Sequence, residues 1–195
     1  MRKFVFLGSL PFFVLVMVGP SAGVPVYLPL TGHYYEYRAD VQTWSNAVGQ
    51  AWSSSFVDSA GMYWAGYLAT VTSAEEDQFL SNAFLEEGWL GGGDGDLDGA
   101  WVWETGSETG WVFWDNGQTL LYANWAAGEP SANPEEKCVL KRALQDGGGT
   151  WEAEDPMNLH AFFVEYEPVA TATPEGIDVR SWGAIKSLFL RSPVE

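Results

Sequence analysis

The sequence of 195 residues contains one cysteine, Cys138, so no disulfide can form within the chain. Basic residues are also scarce: nine Lys and Arg face 26 Asp and Glu, which gives a formal net charge of −17. Because nucleic-acid phosphates are bound by clustered Lys and Arg, this balance excludes a nucleic-acid partner. A single thiol in such a chain is expected to be buried and unreactive.

The motifs of common enzymes are missing too. There is no Gly-x-Ser-x-Gly elbow, no phosphate-binding loop and no zinc spacing, and His33 and His160 stand on predicted strands without a nucleophile nearby. The enzymatic alternative is a glycosidase, which needs two carboxylates at a defined separation. Six acidic residues are candidates: Glu129, Glu135, Glu136, Glu152, Glu154 and Asp155. Acidic residues abound here and usually solvate a surface, so we predict no enzymatic activity.

One long hydrophobic run occurs, at residues 4–18. Arg2 and Lys3 precede it and the small residues 21–23 follow it, the pattern of a secretory signal peptide over residues 1–23. The alternative, a membrane anchor, is disfavoured because the run is short and contains Pro11. Removal of the peptide leaves seven basic residues against 26 acidic ones. The sequence thus predicts a secreted, extracellular protein.

The remaining pattern predicts an α+β fold. Alternating aromatic residues at 33–38 predict a strand, and Asp40 is expected to cap a helix with apolar residues at helical spacing. A second helix should begin at Ser73, with acidic residues in its first turn. Short strands are predicted at 67–71, 101–103, 111–114, 138–142, 150–151 and 161–166. Five tryptophans alternate as core residues would: Trp89, Trp101, Trp103, Trp111 and Trp114.

Residues 122–139 form a stretch in which Gly and Pro exclude a regular helix or strand. It contains two asparagines and three glutamates, the hard oxygen donors that Ca²⁺ collects. Long loops in compact domains are usually either functional or disordered. Because Trp125 and Val139 anchor its ends, we predict a functional loop, braced by Trp125 and Trp151.

Several short motifs, in order, resemble those of the C-type lectin-like domain family. The resemblance covers residues 32–167 and is carried by residues 67–76, 89–92, 101–103, 122–125, 129–131, 136–139, 151 and 163–165. It implies a fold of two helices with short antiparallel sheets, and a long loop that holds Ca²⁺ and sugar. The family's disulfide partners are absent, since Pro156 and Val164 occupy those positions. By analogy this suggests a bacterial-type member that relies on its aromatic core.

The resemblance also assigns a site. Where the family has Glu-Pro-Asn this chain has Glu-Pro-Ser at 129–131, and where it has Asn-Asp this chain has Glu152 followed by Ala153. The implied ligand-binding residues are Glu129, Ser131, Asn133, Glu136 and Glu152. The implied Ca²⁺ ligands are Glu129, Glu136 and Glu152, with Asp94 and Asp98 of a glycine-rich loop, residues 91–99, at an auxiliary site. The alternative for those two aspartates is a solvated turn without metal.

Two functions follow as expectations. The first is carbohydrate binding through the long loop, with or without Ca²⁺; the second is a protein-binding or structural module whose calcium site is degraded. Residues 24–31 are predicted to be a lead-in and residues 168–180 a linker. Residues 181–195 form a small amphipathic segment with Lys and Arg opposite apolar residues. Such a tail could dock on a membrane surface or a protein, or pack on its own domain.

Overall fold

The computed structural model describes residues 23–169, which form eleven strands and three helices. The strands are β1 (Val26–Leu28), β2 (His33–Gln42), β3 (Ser55–Val57), β4 (Tyr63–Leu68), β5 (Gly88–Gly93), β6 (Ala100–Trp103), β7 (Val112–Asp115), β8 (Gln118–Thr119), β9 (Cys138–Lys141), β10 (Trp151–Glu154) and β11 (His160–Pro168). The helices are α1 (Trp44–Trp52), α2 (Ala74–Ala83) and α3 (Leu144–Gly147). Within residues 23–169 no helix is long and apolar enough to cross a membrane. The predicted α+β class is confirmed. Residues 1–22 of the predicted signal peptide, residues 170–180 of the predicted linker and the tail lie outside the described residues, and Pro168, the first residue of the predicted linker, ends β11 instead.

Strand β11 lies at the centre of the sheet. It pairs antiparallel with β2 and with β4, and it touches β5 in parallel at Phe162 and Trp89. From β5 the sheet continues antiparallel through β6, β7 and β8, while the β9–β10 pair joins β5 separately. β1, in the predicted lead-in, pairs with β2. The last strand therefore joins the first half of the domain to the half that carries the long loop.

The two longer helices begin differently from each other. The predicted start of α2 is confirmed: Ser73 Oγ accepts a hydrogen bond from Glu76 N at 3.2 Å, and three acidic residues occupy the first turn. The Asp40 cap of α1 is wrong, because β2 continues to Gln42, which pairs with His160 of β11. Pairing with a distant strand thus outweighs the local helical pattern, and α1 begins at Trp44.

Aromatic side chains form the core on both sides of the sheet. In the larger cluster Trp103 stacks on Phe113 with ring centroids 4.5 Å apart, and Trp151 meets Trp103 edge-on at 5.8 Å. A second cluster under α1 contains Trp89 and Phe162. Each such ring buries a large apolar area, which suits a fold without disulfides. Cys138 is buried and free, as predicted.

Two details of the core differ from the sequence predictions. Trp111 is 51% exposed, so its assignment to the core is wrong; it follows a turn, with its amide bonded to Glu108 O, and precedes β7. The predicted glycine-rich loop is shorter than expected, because Gly91 to Gly93 belong to the fully buried strand β5. A Cβ at Gly91 would overlap the Thr105 hydroxyl and the Leu68 carbonyl oxygen. The loop itself therefore spans residues 94–99.

Candidate ligand-binding site

The long loop runs from the end of β8 to the start of β9 and is fastened to β10 at both ends. Near its start, Trp151 N donates to Asn124 O and Ala126 N donates to Trp151 O, both at 2.8 Å. Near its end, Lys137 N donates to Glu154 O at 3.1 Å. The ring of Trp125 packs on those of Trp101 and Trp151. The loop is thus held by the scaffold, and the predicted bracing by Trp125 and Trp151 is confirmed.

A cavity of about 540 Å³ lies between the long loop, residues 94–99 and the β7–β8 hairpin. It is lined by Asp94, Leu97, Gly99, Trp101, Trp114, Asn116, Gly117, Gly128, Glu129, Pro130, Ser131, Ala132, Asn133, Pro134 and Glu136. Five of the seven predicted site residues therefore come together here: Asp94, Glu129, Ser131, Asn133 and Glu136. Asp98 and Glu152 are not part of the lining.

Glu129 links the loop to β10. Its Oε2 accepts hydrogen bonds from Ser131 N at 2.8 Å and from Ala153 N at 2.9 Å. The Glu129–Pro130 peptide bond is cis, and Glu129 N donates to Ala126 O at 3.0 Å. Ala153 thus contributes its backbone amide to the site. The Glu129 carboxylate has a fixed position between the loop and the sheet.

A second set of hydrogen bonds orders the far side of the loop. Asn133 Nδ2 donates to Glu136 Oε1 at 2.9 Å, and Asn133 N donates to Ser131 Oγ at 3.0 Å. Asn133 Oδ1 in turn accepts from Glu135 N at 3.2 Å. Ser131, Asn133 and Glu136 are therefore neighbours in one polar arrangement, although a serine replaces the amide that the resemblance implies at position 131.

Two of the three aspartates in residues 94–99, Asp94 and Asp98, stabilise their own turn. Asp94 is buried, and its carboxylate accepts hydrogen bonds from Asp98 N at 3.2 Å and Gly99 N at 3.1 Å. Asp98 Oδ1 accepts from Ala100 N at 2.9 Å. Leu97 between them has a φ of 56°, a conformation that is unusual for a bulky residue. The turn presents Asp94 to the cavity and leaves Asp98 outside its lining.

Glu152 faces Arg142, whose Nη1 lies 3.3 Å from Glu152 Oε2. Burial raises the pKa of Glu152, and the positive charge of Arg142 opposes that shift. Within residues 23–169 no three His, Cys, Asp or Glu side chains are grouped so as to hold a metal ion. The donors along the cavity are oxygens, which suits Ca²⁺ in kind, but the carboxylates are not gathered into the shell of six to eight that Ca²⁺ takes.

Sequence reasoning missed the hairpin side of the cavity. Asn116 and Gly117 both have positive φ, 44° and 89°, and connect β7 to β8 as a two-residue turn. The Asn-Gly pair after a strand was the available signal for this hairpin. It places Asn116 and the half-buried Trp114 in the lining of the cavity.

Comparison with known proteins identifies the family. Residues 64–163 match the model described as the lectin C-type domain. This chain belongs to the C-type lectin family. Perlucin of Haliotis laevigata is 30% identical over 126 residues, which cover 60% of this chain and 72% of perlucin. Halomucin of Haloquadratum walsbyi is 35% identical over 142 residues, which cover 72% of this chain but only 2% of halomucin.

Solved structures agree on the fold. A calcium-independent type II antifreeze protein aligns with a TM-score of 0.54 at 20% identity, covering 78% of this chain and 96% of that chain. The predicted C-type lectin-like fold is therefore confirmed. The family and the fold are those of lectin-like binding domains.

Proposed function

We propose that this chain is a secreted carbohydrate-binding protein that holds its ligand in the cavity beside the long loop. The observation that carries this proposal is the cavity itself, whose 540 Å³ falls within the range of small-molecule sites. Sugars offer hydroxyl groups to hydrogen-bonding side chains and an apolar ring face to aromatic residues. The lining supplies both kinds of contact.

The polar contacts would come from Glu129, Ser131, Asn133 and Glu136. Their ordered hydrogen bonds hold oxygen and amide groups ready for a ligand, which lowers the entropy cost of binding. Trp114 and Asn116 line the same cavity. Ring stacking on Trp114 with hydrogen bonds from the loop is the binding mode that this arrangement supports.

The second ligand that we propose for the cavity is Ca²⁺. The donors nearest to the cavity are Glu129, Glu136 and Asp94, and bound Ca²⁺ would strengthen the attraction for sugar hydroxyls. Neither Glu152, which is paired with Arg142, nor Asp98, whose Oδ1 accepts from Ala100 N, lines the cavity. Calcium affinity is therefore expected to be modest.

The test is calorimetric titration with Ca²⁺, followed by a glycan array with Ca²⁺ and with chelator. Glu136→Gln should weaken binding, whereas Glu135→Gln, an exposed neighbour outside the cavity lining, should not. Trp114→Ala should also weaken sugar binding, with the exposed Trp111→Ala as its matched control. Unchanged sugar binding in both Glu136→Gln and Trp114→Ala would refute this location of the site.

The second candidate is a protein-binding or structural module without a working calcium site. Two observations favour it: both oxygens of Asp94 and one oxygen of Glu129 already accept hydrogen bonds from backbone amides, and Glu152 is paired with Arg142. In that case the glycan array would show no binding with or without Ca²⁺. Partner capture by the folded protein would then replace the array as the measurement.

A further inference from the structure

A buried polar cluster behind the long loop lies outside the lining of the cavity. Its centre is Asp77 of α2, whose side chain is buried. Asp77 Oδ2 accepts hydrogen bonds from Asn124 Nδ2 at 2.6 Å and from Tyr122 OH at 3.0 Å. Its Oδ1 accepts from Trp151 Nε1 at 3.3 Å. One carboxylate thus holds the start of the loop and the strand on which the loop rests.

The charge of Asp77 is balanced inside the protein. Lys141 of β9 is almost fully buried, and its Nζ lies 3.7 Å from Asp77 Oδ1. The same ammonium donates to Ser81 Oγ at 2.7 Å and to Gly149 O at 3.0 Å. Burial lowers the pKa of Lys141, and the nearby Asp77 carboxylate opposes that shift. Buried charges are tolerated when they are paired and hydrogen-bonded in this way.

A continuous chain of hydrogen bonds leads from Asp77 to the cavity. Asn124, held by Asp77, accepts a bond from Trp151 N through its backbone oxygen, and Trp151 O accepts one from Ala126 N. Glu129 N then bonds to Ala126 O at 3.0 Å. Two residues beyond Trp151, Ala153 N donates to Glu129 Oε2. Glu129 is thus bonded by Ala126 and Ala153, which lie two residues beyond Asn124 and Trp151, the residues that Asp77 holds.

We propose that Asp77 is the positioning residue of the long loop, and that the Asp77–Lys141 pair does for this chain what a covalent cross-link at the loop base would do. The ligand-binding consequence rests on the proposed function, whereas the effect on the loop does not. Asp77 has no contact with the cavity, since it is absent from its lining. It acts on the site only through Asn124, Tyr122 and Trp151.

The experiment compares backbone hydrogen exchange in the wild-type chain, Asp77→Asn and the control Leu80→Ala. An amide cannot accept all of these hydrogen bonds, so Asp77→Asn should speed exchange at Ala126, Lys137 and Ala153 at least tenfold, with β2–β11 amides nearly unchanged. Leu80 is also buried in α2. Leu80→Ala removes core packing alone, so it should raise backbone hydrogen exchange throughout the domain. A uniform rise in Asp77→Asn, or none, would overturn the proposal.

Two further measurements keep the test decisive. If Asp77→Asn does not fold, Asn124→Ala removes one donor and leaves the ion pair in place; it should still loosen the loop selectively, and failure to do so overturns the proposal. Calcium and glycan titrations should show about tenfold weaker binding in Asp77→Asn at a temperature where Leu80→Ala binds normally. If the wild-type chain binds neither ligand, the proposed function fails, while the exchange result still decides the role of Asp77.

Discussion

Replacing Glu76 with glutamine should change how the stability of this domain depends on pH. The Tyr35 hydroxyl lies 2.6 Å from Glu76 Oε1 and 3.1 Å from Glu165 Oε1. One hydroxyl proton serves only one acceptor, so the other contact is favourable only when a carboxyl group is protonated. Burial, followed by the charge of Glu165, raises the pKa of Glu76 to about 7, and burial also raises the pKa of Glu165. The pair therefore retains a proton near neutral pH.

The direction in which stability changes with pH depends on which state, folded or unfolded, binds more protons. The unfolded chain releases the Glu76 proton near its ordinary pKa of 4.5, whereas the folded chain keeps it until about 7. Between those values the folded state binds more protons, so stability falls as pH rises. At about 1.4 kcal/mol per pKa unit, this loss amounts to about 3 kcal/mol. His33 contacts Glu165 at 2.6 Å and also has a raised pKa, so deprotonation of His33 at higher pH lowers the stability of the folded state further.

Glutamine imitates the protonated form of Glu76. Its oxygen can accept from Thr72 N, as Glu76 Oε2 does at 2.7 Å, while its amide donates to the Tyr35 oxygen. The free energy of unfolding, measured in urea by tryptophan fluorescence, should therefore favour Glu76→Gln over wild type by about 3 kcal/mol more at pH 7.5 than at pH 4.5. Glu75 is exposed in the same turn, so the free energy of unfolding of Glu75→Gln should depend on pH as that of wild type does. A constant difference between Glu76→Gln and wild type across this range would refute the reasoning.

Three further predictions concern packing and exposure. Gly91→Ala should destabilise the domain by more than about 3 kcal/mol or prevent folding, as measured by urea unfolding, because the new methyl group would overlap Thr105 and Leu68. Burial raises the pKa of the Cys138 thiol, so a colourimetric thiol reagent at pH 8 should react only after urea unfolds the protein. Trp111→Ala should change the free energy of unfolding by no more than about 0.5 kcal/mol, because the ring is exposed; a larger loss in thermal unfolding would contradict its placement.

The sequence predicted what is decided locally. Ser73 and the acidic residues after it mark the start of α2. The strands predicted at 33–38, 101–103, 111–114, 138–142 and 161–166 correspond to β2, β6, β7, β9 and β11. The motifs of the resemblance point to Glu129 and Glu136, which line one cavity. The misses depend on contacts between distant segments. β2 extends because β11 pairs with it, and Gly91 to Gly93 belong to a strand because β5 pairs with β6 and β9. The close neighbours of these glycines leave no room for side chains.

The buried cluster behind the loop was missed for the same reason. Asp77 follows Glu75 and Glu76 in the first turn of α2, where negative charge is stabilised by the helix dipole. Its residue type alone therefore suggested only a solvated surface position. Lys141 interrupts an apolar strand, which was the available hint of a buried partner. Only the packing of α2 against β9 and β10 shows that the two side chains meet.

The central place of β11 has a consequence for how the domain folds. Its contacts with β2 connect residues that are 130 positions apart, as Tyr35 and Glu165 are. Such high contact order makes folding slow, since a long loop must close before these contacts form. Until residue 168 has been synthesised, β2 and β4 both present unpaired edges. Edge-to-edge aggregation is therefore most favoured in the period before β11 pairs with β2 and β4.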